Sequence, residues 1–307
     1  KITMNSLTKF LSHSTFTLVG LGIATVPAHA LTVNTTDEAN ALVNQIVGSG
    51  ITFSNATYTG APAASGIFTN GLSSGIGIGN GIILTSGDAN LAVGPNNAGS
   101  AGESNGLPGD ADLDSLIPGN TLDASVLEFD FVSDSGNLFF NYVFASEEYP
   151  EFVNSPFNDV FAFFLNGQNL ALIPGTTTPV SINTVNGGNP IGTDATNPQF
   201  FIDNSTGAFN IEYDGFTTIF TAQATGLVPG STNTIKLAIA DTSDTALDSA
   251  VFFEGGTFAA EPTPTPVLSP VASVPEPTTI LGLLAFGAFG AATGLKRKQQ
   301  YKTIAPV

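Results

Sequence analysis

Past residue 120 the apolar residues arrive in short runs, each closed by Gly, Asn, Asp or Pro, and nothing between the runs keeps a helical period. That rhythm limits the fold more than any other feature. Leu127, Phe129 and Phe131 alternate with Glu128 and Asp130, the pattern of a strand with one buried and one wetted face. The runs 138–144 (LFFNYVF), 159–165 (DVFAFFL), 209–213, 217–222, 234–240 and 250–258 follow in similar style. They are rich in the β-branched and aromatic side chains that suit a pleated surface. Strands this short, with no helices between them to carry parallel crossovers, predict a mainly β fold: an antiparallel β-sandwich of jelly-roll or lectin-like type. Upstream, 81–87 (GIILTSG) reads as one more strand and 94–109 as a long loop. One short helix is expected near residue 40. Thr35 and Glu38 stand at capping-box spacing, Leu42, Val43, Ile46 and Val47 recur on one face, and Gly48 and Gly50 stop it.

Two apolar segments bracket this body. Lys1 and Lys9, the apolar stretch 16–26 and the small-x-small triplet Ala28-His29-Ala30 read as a signal peptide over 1–30. At the far end a Pro-rich spacer, 261–277, closes on Pro275-Glu276-Pro277. Eighteen uncharged residues follow, 278–295, then Lys296, Arg297 and Lys298 of a basic tail, 296–307. As a helix the uncharged stretch reaches about 27 Å at ~1.5 Å per residue, close to the ~30 Å of a bilayer core, so a transmembrane helix is expected there. The positive-inside rule keeps the tail cytoplasmic and puts residues 31–260 on the outer side. Those residues read as one domain, large enough to bury a core although the chain has no cysteine for disulfides.

Charge is unevenly spread. Of seven Lys and Arg only Lys236 falls within 31–260, whereas 23 of the 25 Asp and Glu do. Nucleic acid is a poor partner for such a surface, because its binding needs Lys and Arg to displace counterions. Nor can one ammonium pair so many carboxylates. They must be solvated, held by backbone N–H groups, or gathered around a bound cation.

The densest chemistry lies in 144–167 (FASEEYPEFVNSPFNDVFAFFLNG), where Glu147, Glu148, Asn158 and Asp159 fall between two strands. A second acidic loop, with Asp241, Asp244 and Asp248, precedes the last strand. Ca²⁺ takes six to eight oxygens from carboxylates, amides and backbone carbonyls, so these two loops are expected to supply a Ca²⁺ site jointly. Neighbours in extended chain point to opposite sides, so Glu147 and Glu148 can share an ion only if the strand ends before them. Asp110 and Asp112 in 107–114 (LPGDADLD) are a weaker ligand source. That segment starts like an EF-hand, but Ser115 holds the glycine position and Thr121 that of the bidentate acid, so it is not one. Each of these acids also has a plainer reading as a turn or cap acceptor.

Catalysis has little to draw on. Both histidines, His13 and His29, fall in the signal segment, which excludes Ser-His-Asp and Cys-His arrangements and His-ligated zinc from the body. The chain is not expected to be an enzyme. A glycoside hydrolase working with two carboxylates remains an alternative. So does a Ca²⁺-dependent carbohydrate-binding, lectin-like module in which Tyr149 stacks on a sugar; Tyr149 reads equally as a half-buried residue beside Pro150.

The segments 81–87, 107–114, 127–132 (LEFDFV), 144–152 (FASEEYPEF), 158–167 (NDVFAFFLNG), 212–217 (EYDGFT) and 236–258 run in order through the body, and together they resemble the choice-of-anchor L domain family. The Pro-Glu-Pro triplet, apolar stretch and basic stop resemble the PEP-CTERM sorting tail, which implies an exosortase-type partner that recognises it. The two resemblances imply a β-rich domain exported to the cell envelope, cell surface or extracellular space, with the C-terminal helix as a transient or permanent membrane anchor. The expectation is a structural or adhesive protein of the cell surface or a biofilm matrix. Its expected partners are the sorting machinery, the membrane and an extracellular polysaccharide, with Ca²⁺ as the bound ion.

Overall fold

The computed structural model describes residues 30–263. The expected signal segment through residue 29, with Ala28, lies outside the described residues, as do most of the spacer, Pro275-Glu276-Pro277, the expected transmembrane helix over 278–295 and the basic tail with Lys296, Arg297 and Lys298. Among the described residues no helix is long and apolar enough to cross a membrane.

The described strands pair antiparallel in two sheets. Across the larger run β1 (Thr32–Thr35), β3 (Ser65–Thr69), β4 (Gly81–Thr85), β13 (Ser249–Glu254), β6 (Leu138–Ser146), β10 (Gly215–Thr217) and β9 (Phe201–Asp203), with β11 (Phe220–Ala224) also paired to β6. The smaller holds β2 (Ile51–Thr59), β5 (Thr121–Ser133), β12 (Thr232–Thr242), β7 (Val160–Leu165) and β8 (Gln168–Asn169).

Strand alternation aims one face of each sheet at the other. Phe163 of the smaller sheet meets Phe140, Tyr142 and Phe253 of the larger, with ring centroids 5.0, 4.8 and 5.2 Å apart. Beyond β13, Phe258 joins this core against Phe129, Phe131 and Phe140. Residues of both sheets share one apolar cluster, so the sheets pack face to face. The outer faces are covered as well. Ile76, Ile78 and Ile211 lie with Phe68, Ile83 and Phe252 of the larger sheet, while Leu113 of the single-turn helix Ala111–Asp114 lies with Val160, Ala162 and Ala238 of the smaller. Burial on both faces explains why β4, β6, β7 and β13 read as nearly continuous apolar runs.

Three local expectations need correction. The helix runs Ala39–Ile46 with Glu38 at its N-cap and no side-chain cap; Thr35 ends β1, and Thr36 Oγ1 accepts the Glu38 N–H instead, at 3.3 Å. Segment 209–213 is not a strand. It folds around the Asn204 side chain, whose Nδ2 donates to the carbonyls of Ile211 (3.1 Å) and Tyr213 (2.8 Å) and whose Oδ1 accepts from Phe209 N (2.8 Å). The run 217–222 splits between β10 and β11: pairing with β6 stops at Phe216 and resumes at Phe220, and between them Thr217 Oγ1 accepts the Phe144 N–H at 3.1 Å.

Candidate metal centre

Antiparallel pairing brings several strand ends to one rim of the sandwich. In the larger sheet Ser146 at the end of β6 faces both Ser249, which starts β13, and Gly215, which starts β10; Thr85 at the end of β4 faces Ala250. In the smaller sheet Thr242 at the end of β12 faces Thr121, which starts β5, and Val160, which starts β7, faces Ala240. The acids stand just beyond or just before these ends. Asp159 ties the two sheets together: its Oδ1 accepts from Thr242 N at 2.9 Å and its Oδ2 from Ser249 Oγ at 2.7 Å. Between Ile239 and Asp241 two steps of β12 match three of β5, and the extra stretch of β5 holds Asp123 at φ +49. That left-handed backbone is one that Asp adopts more readily than most residues.

Over the rim runs the segment 94–109, whose small side chains leave its backbone amides bare. It supplies the donors that lysines do not. Ala98 N donates to Glu212 Oε1 (2.8 Å), Glu103 N to Asp248 Oδ2 (3.0 Å), Asn105 N to Asp123 Oδ2 (2.9 Å), and Leu107 N to Asp123 Oδ1. Asn96 Nδ2 reaches Asp214 Oδ1 at 2.6 Å, and Asn105 Nδ2 reaches the carbonyls of Ser86 (2.8 Å) and Gly87 (3.1 Å). A Cβ added at Gly87 would land on the Asp248 carboxylate, so only glycine admits that approach.

These amides do not satisfy every acid. Both carboxylate oxygens of Glu147 and of Asp241, 2% and 1% exposed, are buried with no hydrogen-bond partner, as are Glu148 Oε2 and Asp248 Oδ1. Ala101 N–H lies near Glu147 and Ser86 Oγ near Asp241, but neither closes a bond of normal geometry. Burial, with Asp214 and Glu212 adding to it, pushes Glu147 up to about 9. Burial, with Asp159 and Asp244, does the same for Glu148. Asp248 is pushed up to about 7 by burial despite the Glu103 N–H, and burial also raises the facing pair Asp159 and Asp241. An unpaired buried carboxylate costs several kcal/mol, so these groups either keep protons or meet a cation. Among the described residues no three acidic, His or Cys side chains close into a ready-made metal cage. An ion here would therefore use one or two carboxylates and complete its shell with hydroxyl, carbonyl and water oxygens, as Ca²⁺ accepts.

The structure gathers Glu147, Asp159, Asp241 and Asp248 at the rim. Glu148 is buried beside them; Asp159 and Asp244 add to the rise of its carboxyl, as Asp214, Glu212 and Asp248 do to that of Glu147. Asn158 Oδ1 accepts from Asn183 N at 2.8 Å and shapes the loop. Exposed Asp244 caps its own turn through Ala246 N at 3.2 Å. Asp110 and Asp112 have a counter-ion in Lys236, whose Nζ is 2.6 Å from an oxygen of each and 5.7 Å from the Phe164 ring centroid. Asp110 also caps the helix Ala111–Asp114. Tyr149 is fully buried, with its hydroxyl on the Val185 carbonyl and its ring 4.8 Å from that of Phe201. It is no platform for a sugar. Sequence reasoning missed Asp123, Glu212 and Asp214. The acidic pair in 212–217 was a usable signal for the last two; Asp123 sits inside a strand pattern and gave none.

Residues 32–259 match the Choice-of-anchor L domain, and residues 273–298 match the PEP-CTERM protein-sorting motif. Against the curated proteins and the solved structures the chain finds no match.

Proposed function

Because the chain belongs to the choice-of-anchor L domain family and carries a sorting motif that marks it for export to the cell envelope, we propose that it is a structural or adhesive surface protein whose sandwich is braced by Ca²⁺. The observation that carries the cation is the pair Glu147 and Asp241, each sealed from water with both oxygens unpartnered. In this reading Ca²⁺ is scaffold support: it neutralises the strand ends where the two sheets meet. In this reading the role is non-enzymatic, since residues 31–260 hold no His or Cys. The Pro-rich run to Pro277 spaces the sandwich from the envelope, and 278–295 spans the membrane with Lys296, Arg297 and Lys298 on the cytoplasmic side until an exosortase-type enzyme acts. An extracellular polysaccharide is the natural surrounding for such an anionic domain. The test is thermal melting of the chain in EDTA and in Ca²⁺ up to about 10 mM, well above sensor-site affinities. Ca²⁺ should raise the melting temperature and EDTA lower it; superimposable melts would refute the bracing role.

A further inference from the structure

We infer that the segment 94–109 is a lid, clamped at both ends, which swings off the acidic rim without unfolding the sandwich and admits water and cations to Glu147 and Asp241. The lid stands on its own bonds; that Ca²⁺ passes beneath it rests on the cation reading above.

Its ends are fixed. Val93 bridges Ile211 and Pro108 bridges Leu122, while Asp123 N and Ala124 N donate to the carbonyls of Leu107 and Pro108 at 3.0 and 3.1 Å. A Cβ at Gly94 would strike the Asn210–Ile211 backbone and one at Gly109 that of Thr121, so both ends lie flat on the sandwich. The middle differs. No residue of 94–109 is buried and none joins an apolar cluster. Among the described residues one backbone–backbone bond, from Asp248 N to the Ala101 carbonyl at 3.3 Å, ties 95–106 to the sandwich. The other ties run from Asn96, Ala98, Glu103 and Asn105 to carboxylates and carbonyls. Water can replace each of these bonds, and no apolar contact resists the opening.

What the lid covers is the part of the rim that lacks partners. The Asp248 carbonyl accepts from Glu147 N at 3.1 Å, and Asp241 pairs with Leu122 beside the Asp123 that Asn105 N grips. The middle of the lid thus lies against the neighbours of both carboxylates whose oxygens are buried and bare. The Tyr213 hydroxyl, between the Glu212 and Asp214 that the lid also holds, is bare in the same way.

The chain has no cysteine, so one engineered thiol reports the opening. Ser86 and Val143 are both 0% exposed; Asn105 Nδ2 of the lid sits on the Ser86 carbonyl, whereas Val143 lies within β6. In EDTA, iodoacetamide should label Ser86→Cys faster than Val143→Cys by about tenfold or more. Low urea should leave the first rate unchanged and raise the second, because lid opening exposes little surface. Equal rates with equal urea dependence would overturn the lid. If either variant fails to fold, hydrogen exchange of the wild type decides. The amides of Ala98, Glu103 and Asn105 should exchange ahead of the β6 and β12 ladders, and exchange in step with those ladders would overturn the lid. Ca²⁺ at about 10 mM should slow the labelling of Ser86→Cys, since a bound ion favours the closed form. A rate indifferent to Ca²⁺ would overturn its passage beneath the lid and leave the lid itself standing.

Discussion

Asp159 and Asp241 face each other across the rim, yet they differ in what sits on their oxygens: two protein donors on the first, none on the second. Such bare groups make stability depend on proton and metal together. Without metal, Glu147, Glu148 and Asp248 hold their protons more tightly when folded, at about 9, about 9 and about 7, than at their ordinary values of 4.5, 4.5 and 3.8. The folded state then binds more protons than the unfolded one. Its advantage is complete below the ordinary values and is lost as pH climbs through the folded ones. In EDTA the melting temperature should fall between about pH 5 and about pH 9. Ca²⁺ needs ionised ligands, so the gap between Ca²⁺ and EDTA melts should widen over the same interval. A gap that narrows as pH rises would contradict cation binding at these groups.

Among the elements, the segment 94–109 does the most with the least side chain. Its amides and the Asn96 side chain hold Glu212, Asp214, Asp248 and Asp123, which belong to segments far apart in the chain. Removing Asn105 Nδ2 leaves the carbonyls of Ser86 and Gly87 without that donor, so Asn105→Ala should cost about 1–3 kcal/mol. Faster hydrogen exchange across 94–109 should accompany the loss; unchanged exchange there would mean the segment is held by other contacts. The sequence announced the strands well where both faces are buried, as in β6, β7 and β13, because unbroken apolar runs leave little choice. It misled at 209–213, where a single asparagine, Asn204, collects the backbone that a strand would have paired. The loop 94–109 was legible as a loop, but its purpose was not, since backbone amides leave no trace in composition. The acids of 147–159 and 241–248 were legible as an excess of anions. Their separation into amide-bound and bare groups depends on strand register, which no local pattern fixes.

For the whole molecule, the excess of acid over base is resolved in place: Lys236 serves one corner, amides serve most of one rim, and the bare remainder sits where the two sheets join. The chain leaves the sandwich at the other end. Ala259 pairs with Phe139 near the start of β6, and Ala260 N–H bonds to the Ser49 carbonyl, whereas Ser146 at the finish of β6 lies on the rim. At ~3.3 Å per residue these points are about 25 Å apart along the strand. Traction applied between a grip on the acidic end and residue 260 therefore runs lengthwise down β6. The ladder bonds to β13 and β11 stand crosswise to that line and must shear together, not open in turn. Single-molecule stretching between these two points should meet a higher rupture force than stretching across β6 and β13, and equal forces would deny the sandwich a tensile axis.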